Sequence, residues 1–144
     1  MKRLLLAGAL AAATVACEDV TVHPAVNRIT VPIANPSFRT DIAPILDQTC
    51  ASSGACHGGT APQKGMNLSL AQAYAHLVGV PSVFDSTMMR VRAGLPDSSF
   101  FFRVLSGDAA YRLGYYRMPL TQYPMPQPVV ETIRNWILQG ALDN

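Results

Sequence analysis

The stretch Cys50-Ala51-Ser52-Ser53-Gly54-Ala55-Cys56-His57 brings two cysteines and a histidine together within eight residues. A histidine directly after a cysteine, with a second cysteine upstream, is the arrangement that binds haem covalently, because each thiol adds to a haem vinyl group and the imidazole reaches the iron. The usual motif has two residues between the cysteines, whereas five separate Cys50 from Cys56. The extra residues must bulge away from a porphyrin, which serine and glycine allow.

The N-terminus has the layout of a secretory signal. Lys2 and Arg3 precede an apolar run from Leu4 to Val15, which is too short to span a bilayer comfortably as a permanent helix. The end of this run, Thr14-Val15-Ala16-Cys17, resembles the lipobox of bacterial lipoproteins, in which the signal is cut before a cysteine that is then acylated. Thr14 stands where the lipobox usually has leucine. We therefore predict a signal peptide over residues 1–16, lipidation at Cys17 and a proline-containing tether over residues 17–37. The alternative is an ordinary signal peptide with an incidental cysteine.

Export changes the meaning of the remaining cysteines, since free thiols do not persist outside the cytoplasm and disulfides or haem thioethers become the favoured states. Zinc is a poor interpretation because only Cys50, Cys56 and His57 cluster, without a second ligand pair. Two interpretations stay open: covalent haem, or a Cys50–Cys56 disulfide that closes a short loop in a haem-free domain with His57 at the surface.

The charge and the remaining motifs exclude several classes of function. The full chain has a formal net charge of +2, and removal of the signal with Lys2 and Arg3 leaves equal numbers of basic and acidic side chains. A clustered basic face, which nucleic-acid binding requires, is absent from the sequence. The sequence also lacks a recognisable catalytic triad, a glycine-rich phosphate loop and paired carboxylates on a helix. We therefore expect that the protein is not an enzyme.

Apolar periodicity predicts a mainly α fold of several short helices and long loops. Phe38, Ile42, Ile45 and Leu46 follow a helical spacing that ends close to Cys50. Three further helices are predicted: one capped by Ser69 and running to Leu77, one opened by Pro96 to Ser99 and running through Phe100 to Leu105, and one from Pro128 to Gly140 with an apolar face of Val129, Val130, Ile133, Trp136 and Ile137.

Six motifs occur in a fixed order along these elements. They are Ile42-Ala43-Pro44-Ile45-Leu46, Cys50 to His57, Gly65-Met66-Asn67-Leu68, Ala93-Gly94-Leu95-Pro96-Asp97-Ser98-Ser99, Met118-Pro119, and Trp136-Ile137-Leu138-Gln139-Gly140-Ala141. In this order the chain from Phe38 to Leu142 resembles a class I type cytochrome c domain, and more closely the planctomycete-type cytochrome c domains, here on a bacterial lipoprotein. Ala93 stands where that family usually has proline. The resemblance implies one cytochrome c-like domain over residues 38–144.

The resemblance also implies a site and a function. One covalent haem c is expected on Cys50 and Cys56, with His57 and Met118 as metal ligands to its iron, and Met125 is the second candidate for the sixth ligand. The protein is then an exported monohaem electron carrier, anchored through Cys17 on the periplasmic or outer face of a bacterial membrane. Its partners would be redox proteins or a membrane redox complex, with no nucleic acid. The alternative is a haem-free lipoprotein with the disulfide, acting as a structural or accessory subunit of a membrane complex.

Further residues have expected roles around such a haem. The aromatic side chains expected to line a dry pocket are Phe100, Phe101, Tyr115, Tyr116 and Trp136. The guanidinium groups that match haem propionates are those of Arg90, Arg92 and Arg117. His23, in the tether, and His76, within a predicted helix, are the other histidines, and we expect both to face solvent.

Overall fold

The structure, a computed structural model, describes residues 24–108, 116–120 and 123–144. The predicted signal peptide, the lipidation site at Cys17, His23 and Tyr115 lie outside the described residues. In the described part of the chain, no helix is both long and apolar enough to cross a membrane.

The described residues are mainly helical, as predicted. The helices are α1 (Pro24–Asn27), α2 (Ala43–Thr49), α3 (Ala73–Leu77), α4 (Phe100–Ser106) and α5 (Gln127–Leu138), with a π-helical turn at Phe38–Ile42 and 3₁₀ turns at Gln63–Gly65 and Pro96–Ser98. Strand-like pairing in these ranges is restricted to isolated bridges, Val78 with Val91, Pro81 with Met89, and Met89 with Ser99. These bridges pair residues of the long segment between α3 and α4 with one another.

The first predicted helix forms as a π turn that leads into α2. The four apolar residues of its predicted face are buried. Pro44 lies in the first turn of α2, where its missing N–H removes no helical hydrogen bond. The helix ends at Thr49, so the cysteine loop begins directly after it.

The core is organised around α5, whose predicted apolar face is completely buried. The ring of Trp136 lies 5.2 Å from that of Phe38, centroid to centroid, and its Nε1 donates a hydrogen bond of 3.0 Å to the carbonyl of Leu142. Gly140 follows the helix with φ of 100°, a conformation that favours glycine and ends the helix as predicted.

One local detail differs from the prediction. α3 begins at Ala73 rather than next to Ser69, because the Ser69 hydroxyl donates to the side chain of Asn67 at 2.8 Å and does not cap the helix. The three successive phenylalanines of α4 are all buried. Phe101 and Phe102 join the main core, whereas Phe100 joins a smaller apolar cluster on another side of the helix, so none is left facing solvent.

The described part of the predicted tether packs on the helical domain. The amide of Ala25 donates to the side chain of Gln48 at 3.0 Å, and the amide of Ile33 donates to the hydroxyl of Thr132 at 3.0 Å. The carbonyl of Ile33 accepts a 2.8 Å hydrogen bond from Asn135. The polar groups of this proline-containing segment therefore have partners on α2 and α5, which its composition did not indicate.

This attachment predicts the effect of replacing Thr132, which is fully buried and also donates to the carbonyl of Pro128 at 2.8 Å. Thr132→Val leaves the Ile33 amide without its partner, so we expect the free energy of unfolding to fall by about 1–3 kcal/mol in urea titrations. The control Thr40→Val changes an exposed threonine. Rapid hydrogen exchange at the Ile33 amide of the unmodified protein would show that this segment is not docked.

Candidate functional site

The loop that contains both cysteines is closed at its base by the backbone. The amide of His57 donates to the carbonyl of Cys50 at 3.0 Å, and the amide of Cys56 donates to that of Ser53 at 3.1 Å. The residues from Ser52 to Cys56 are exposed. The longer spacing is therefore accommodated as an outward bulge, and His57 leaves the loop beside the residue at which it began.

Gly58 is required for this closure by its position. A Cβ atom at Gly58 would overlap the carbonyl oxygen of Ala51, which is backbone and cannot move aside cheaply. Gly54, at the tip of the same loop, has nothing within 4 Å of the corresponding position. Close approach of the two chain segments thus requires glycine at the base of the loop but not at its tip.

The two cysteines are free thiols in different surroundings. Cys50 packs against the core, and its Sγ lies 3.3 Å from the hydroxyl of Thr49. Burial raises the pKa of the Cys50 thiol to about 11, with a smaller lowering by Thr49 and a small further rise from Cys56. Cys56 is exposed and accepts a hydrogen bond of 3.4 Å from Ser53. The Cys50 thiol is therefore protonated at neutral pH.

A largely apolar cavity of about 220 Å³ lies next to the loop and opens to solvent on one side. Its walls are formed by the segments around residues 57–66 and 82–90, by one face of α4, and by the stretch that holds Met118. The lining residues are His57, Lys64, Met66, Ser82, Val83, Phe84, Arg90, Phe100, Phe101, Val104, Tyr116 and Met118. The two predicted axial ligands therefore share one cavity.

Main-chain hydrogen bonds at His57 and at Met118 hold the backbone from which each side chain enters the cavity. The carbonyl of His57 accepts from the amide of Leu68 at 2.7 Å, in addition to the bond that its amide makes with Cys50. The amide of Met118 donates to the carbonyl of Val104 at 3.0 Å, which ties the Met118 stretch to α4. The Met118 side chain is partly buried against both apolar clusters.

The imidazole of His57 has an unsatisfied nitrogen. Within the described residues its Nδ1 is buried and forms no hydrogen bond. Burial is the main cause that lowers the pKa of His57; the carbonyls of Met66 and Gln63 raise it by less and Arg90 lowers it further. The neutral imidazole is the form that ligates metals, and a buried nitrogen without a partner costs roughly 1–3 kcal/mol.

Arg90 places a positive charge on the cavity wall. Its side chain is buried, with one guanidinium nitrogen donating to the carbonyl of His76 at 2.8 Å and another to that of Lys64 at 3.0 Å. Burial lowers the pKa of Arg90, although a guanidinium stays protonated in proteins. The amino group of Lys64 lies 5.1 Å from the ring centroid of Phe84, which stacks on Phe100. Among the described residues, the cavity lining thus combines apolar surface with two cations and no acidic side chain.

The structure separates the predicted site residues into two groups. His57, Met118, Phe100, Phe101, Tyr116 and Arg90 line the cavity, whereas Met125 and Trp136 are buried in the main core and Arg92 is exposed outside it. The two cysteines lie at the ends of the exposed loop next to the cavity, and neither cysteine lines the cavity. Among the lining residues that the sequence analysis missed, Met66 lies in one of the recognised motifs, but Ser82 to Phe84 form a loop without any periodic signal.

This arrangement suits a largely apolar ligand that carries an acidic group and accepts nitrogen and sulfur donors. Imidazole and thioether groups together are ligands for haem iron. Comparisons with protein-family models, with curated proteins and with solved structures found no match to this chain.

The contact at Gly58 predicts a contrast between two glycines of one loop. Gly58→Ala forces the backbone of Ala51 to shift, and we expect a loss of about 1–3 kcal/mol in the free energy of unfolding. The control Gly54→Ala, in open space, should change stability by less than about 0.5 kcal/mol. Chemical denaturation of both variants measures the difference, and equal stabilities would contradict the closed loop.

The burial of His57 predicts a dependence of stability on pH. Its pKa is lowered from 6.5 in the folded chain, so the unfolded state takes up a proton that the folded state does not. In protein produced without haem, we expect the free energy of unfolding to fall as the pH decreases from about 6.5 through the folded-state pKa. His57→Gln should reduce this slope. His76→Gln, which replaces a histidine outside the cavity, should retain it, and an unchanged slope in His57→Gln would contradict the prediction.

Proposed function

We propose that the protein is an exported, membrane-anchored monohaem c-type cytochrome that transfers single electrons. The observation that carries this proposal is the presence of His57 and Met118 on the walls of one apolar cavity next to a loop with two free thiols. The export signal and acylation at Cys17 belong to the proposal on the basis of the sequence alone. The lack of a catalytic constellation in the sequence favours a carrier over an enzyme.

The residues of the cavity fit the requirements of a haem. His57 would supply the nitrogen ligand and Met118 the thioether ligand. Ligation through Nδ1 of His57 would give that buried nitrogen the partner that it lacks among the described residues. Haem supplies an iron that takes up and releases one electron. The volume of about 220 Å³ is below the roughly 300–1,000 Å³ typical of ligand pockets, so a haem would project through the open side. An edge that reaches the surface suits exchange of electrons with a partner protein.

Attachment through the two thiols needs no oxidant. Each S–H bond would add across a vinyl C=C bond of the haem, so that sulfur would bind one carbon and hydrogen the other. The exposed thiol of Cys56 is free to move, whereas Cys50 must leave its packing against the core before it reaches a vinyl group. The exposed bulge between the two cysteines provides backbone that can adjust during attachment.

The protein walls would tune the potential of the bound iron. A thioether opposite a histidine raises the reduction potential and closes the iron to other ligands. Phe100, Phe101 and Val104 keep water away from one side of the cavity, which also favours the reduced state. Met118 is favoured over Met125 as the sixth ligand because Met125 is only 6% exposed and packs in the core rather than in the cavity.

Intact mass measured after denaturation tests this proposal. In protein matured by a host that attaches c-type haem, we expect one covalently bound haem, which Cys50→Ala combined with Cys56→Ala abolishes. A chain two hydrogen atoms lighter than the fully reduced chain, with no haem, would instead identify the disulfide-containing, haem-free alternative. Unmodified thiols in competently matured protein would contradict both.

Two methionine variants test the sixth ligand. Met118→Leu should retain covalent haem, lower the reduction potential and allow the reduced iron to bind carbon monoxide, because the thioether is lost. The matched control Met125→Leu substitutes a core residue at a cost below about 1.5 kcal/mol and should leave both properties unchanged. Carbon monoxide binding by Met125→Leu and not by Met118→Leu would reverse the assignment.

A further inference from the structure

Arg90 is a buried cation whose position is fixed on every side. Its amide donates to the carbonyl of Val80 at 2.7 Å, and its carbonyl accepts from the amide of Phe101 at 2.9 Å. The side chain is 8% exposed, and the carbonyls of His76 and Lys64 hold its guanidinium. The charge therefore has a defined place on the cavity wall and cannot swing into solvent without breaking these bonds.

No carboxylate of the described residues balances this charge. The ion pairs within residues 24–108, 116–120 and 123–144 are Arg39 with Asp143 and Arg103 with Asp108. Of the nine acidic residues in the sequence, only Glu18 and Asp19 lie outside these ranges. Burying a charge is costly unless it is paired, and two carbonyl partners leave three of the five guanidinium N–H donors for other acceptors.

We propose that Arg90 is the residue that binds the acidic group of the cavity's ligand and so sets the ligand's orientation. The ligand class is a flat, apolar molecule with a carboxylate edge. When the ligand is the haem of the proposed function, on which this part rests, the carboxylates are its two propionates. Arg92 and Arg117, the other candidates from the sequence, do not line the cavity. Both are exposed, and Arg117 donates to the carbonyl of Leu105 at 3.3 Å.

A pair of porphyrin probes tests the role of Arg90 without iron. Protoporphyrin IX and its dimethyl ester share the same macrocycle, but only the first carries carboxylates. We expect the full chain, purified without haem, to bind the acid about tenfold or more tightly than the ester, as measured by porphyrin absorption and fluorescence titration. Neither probe offers a metal to His57 or Met118, so axial ligation does not contribute.

Substitutions test whether Arg90 causes the preference for the acid over the ester. Arg90→Gln should remove the preference by weakening the binding of the acid while leaving that of the ester unchanged. Arg90→Lys keeps the charge but loses the planar fork, so we expect a preference reduced severalfold and not abolished. Arg92→Gln removes an exposed arginine two residues away and should retain the full preference.

Three results would overturn the inference. The first is equal affinity of the unmodified chain for the acid and the ester, and the second is that neither the acid nor the ester binds. The third is an equal loss of affinity for both probes in Arg90→Gln, which would identify a purely structural arginine. If Arg90→Gln does not fold, Arg90→Lys decides, since an unchanged ratio there also contradicts the inference. Covalent haem is measured separately by mass, so an acid preference without attached haem would refute the cytochrome proposal and leave the role of Arg90 standing.

Discussion

The backbone around His57 is fixed from two directions, and the candidate site depends on this constraint. The amide of His57 is bound to Cys50 and its carbonyl to Leu68, while the close passage of Gly58 beneath Ala51 leaves no room for a side chain. The end of α2 and the segment that leads to α3 are thereby joined at one point. The imidazole is presented to the cavity from a rigid base even though the loop between the two cysteines is exposed.

The opposite wall is built by α4 and by the segments bound to it. The amides of its first two residues donate hydrogen bonds to the carbonyls of Met89 and Arg90, and the carbonyl of Val104 accepts one from the amide of Met118. A short helix thus fixes the positions of both the thioether and the guanidinium. Because these contacts join main-chain groups, single side chains of the cavity can be replaced while the contacts remain. The proposed roles of Met118 and Arg90 can therefore be tested separately by mutation.

The sequence predicted those parts of the fold in which local patterns and packing agree. Helical spacing was sufficient to locate α2 and α5, and for α5 it was supported by Pro128 in the first turn and Gly140 after the last. The docking of residues 24–37 was not predictable, since it depends on Gln48, Thr132 and Asn135, which are distant in the chain. Periodicity also failed to choose between Arg90 and Arg92. Alternate residues of an extended segment share a face, yet only Arg90 is covered by neighbouring segments.

We propose that His57 and Met118, which line one cavity, would both bind the iron of one haem. Nuclear magnetic resonance of the reduced, haem-containing protein with labelled methionine methyl groups tests it most directly, because a methyl group above a porphyrin is shifted strongly upfield by the ring current. We expect one such resonance, present in Met125→Leu and absent in Met118→Leu. Methyl resonances that all lie at ordinary positions, or a shifted resonance that disappears only in Met125→Leu, would contradict it.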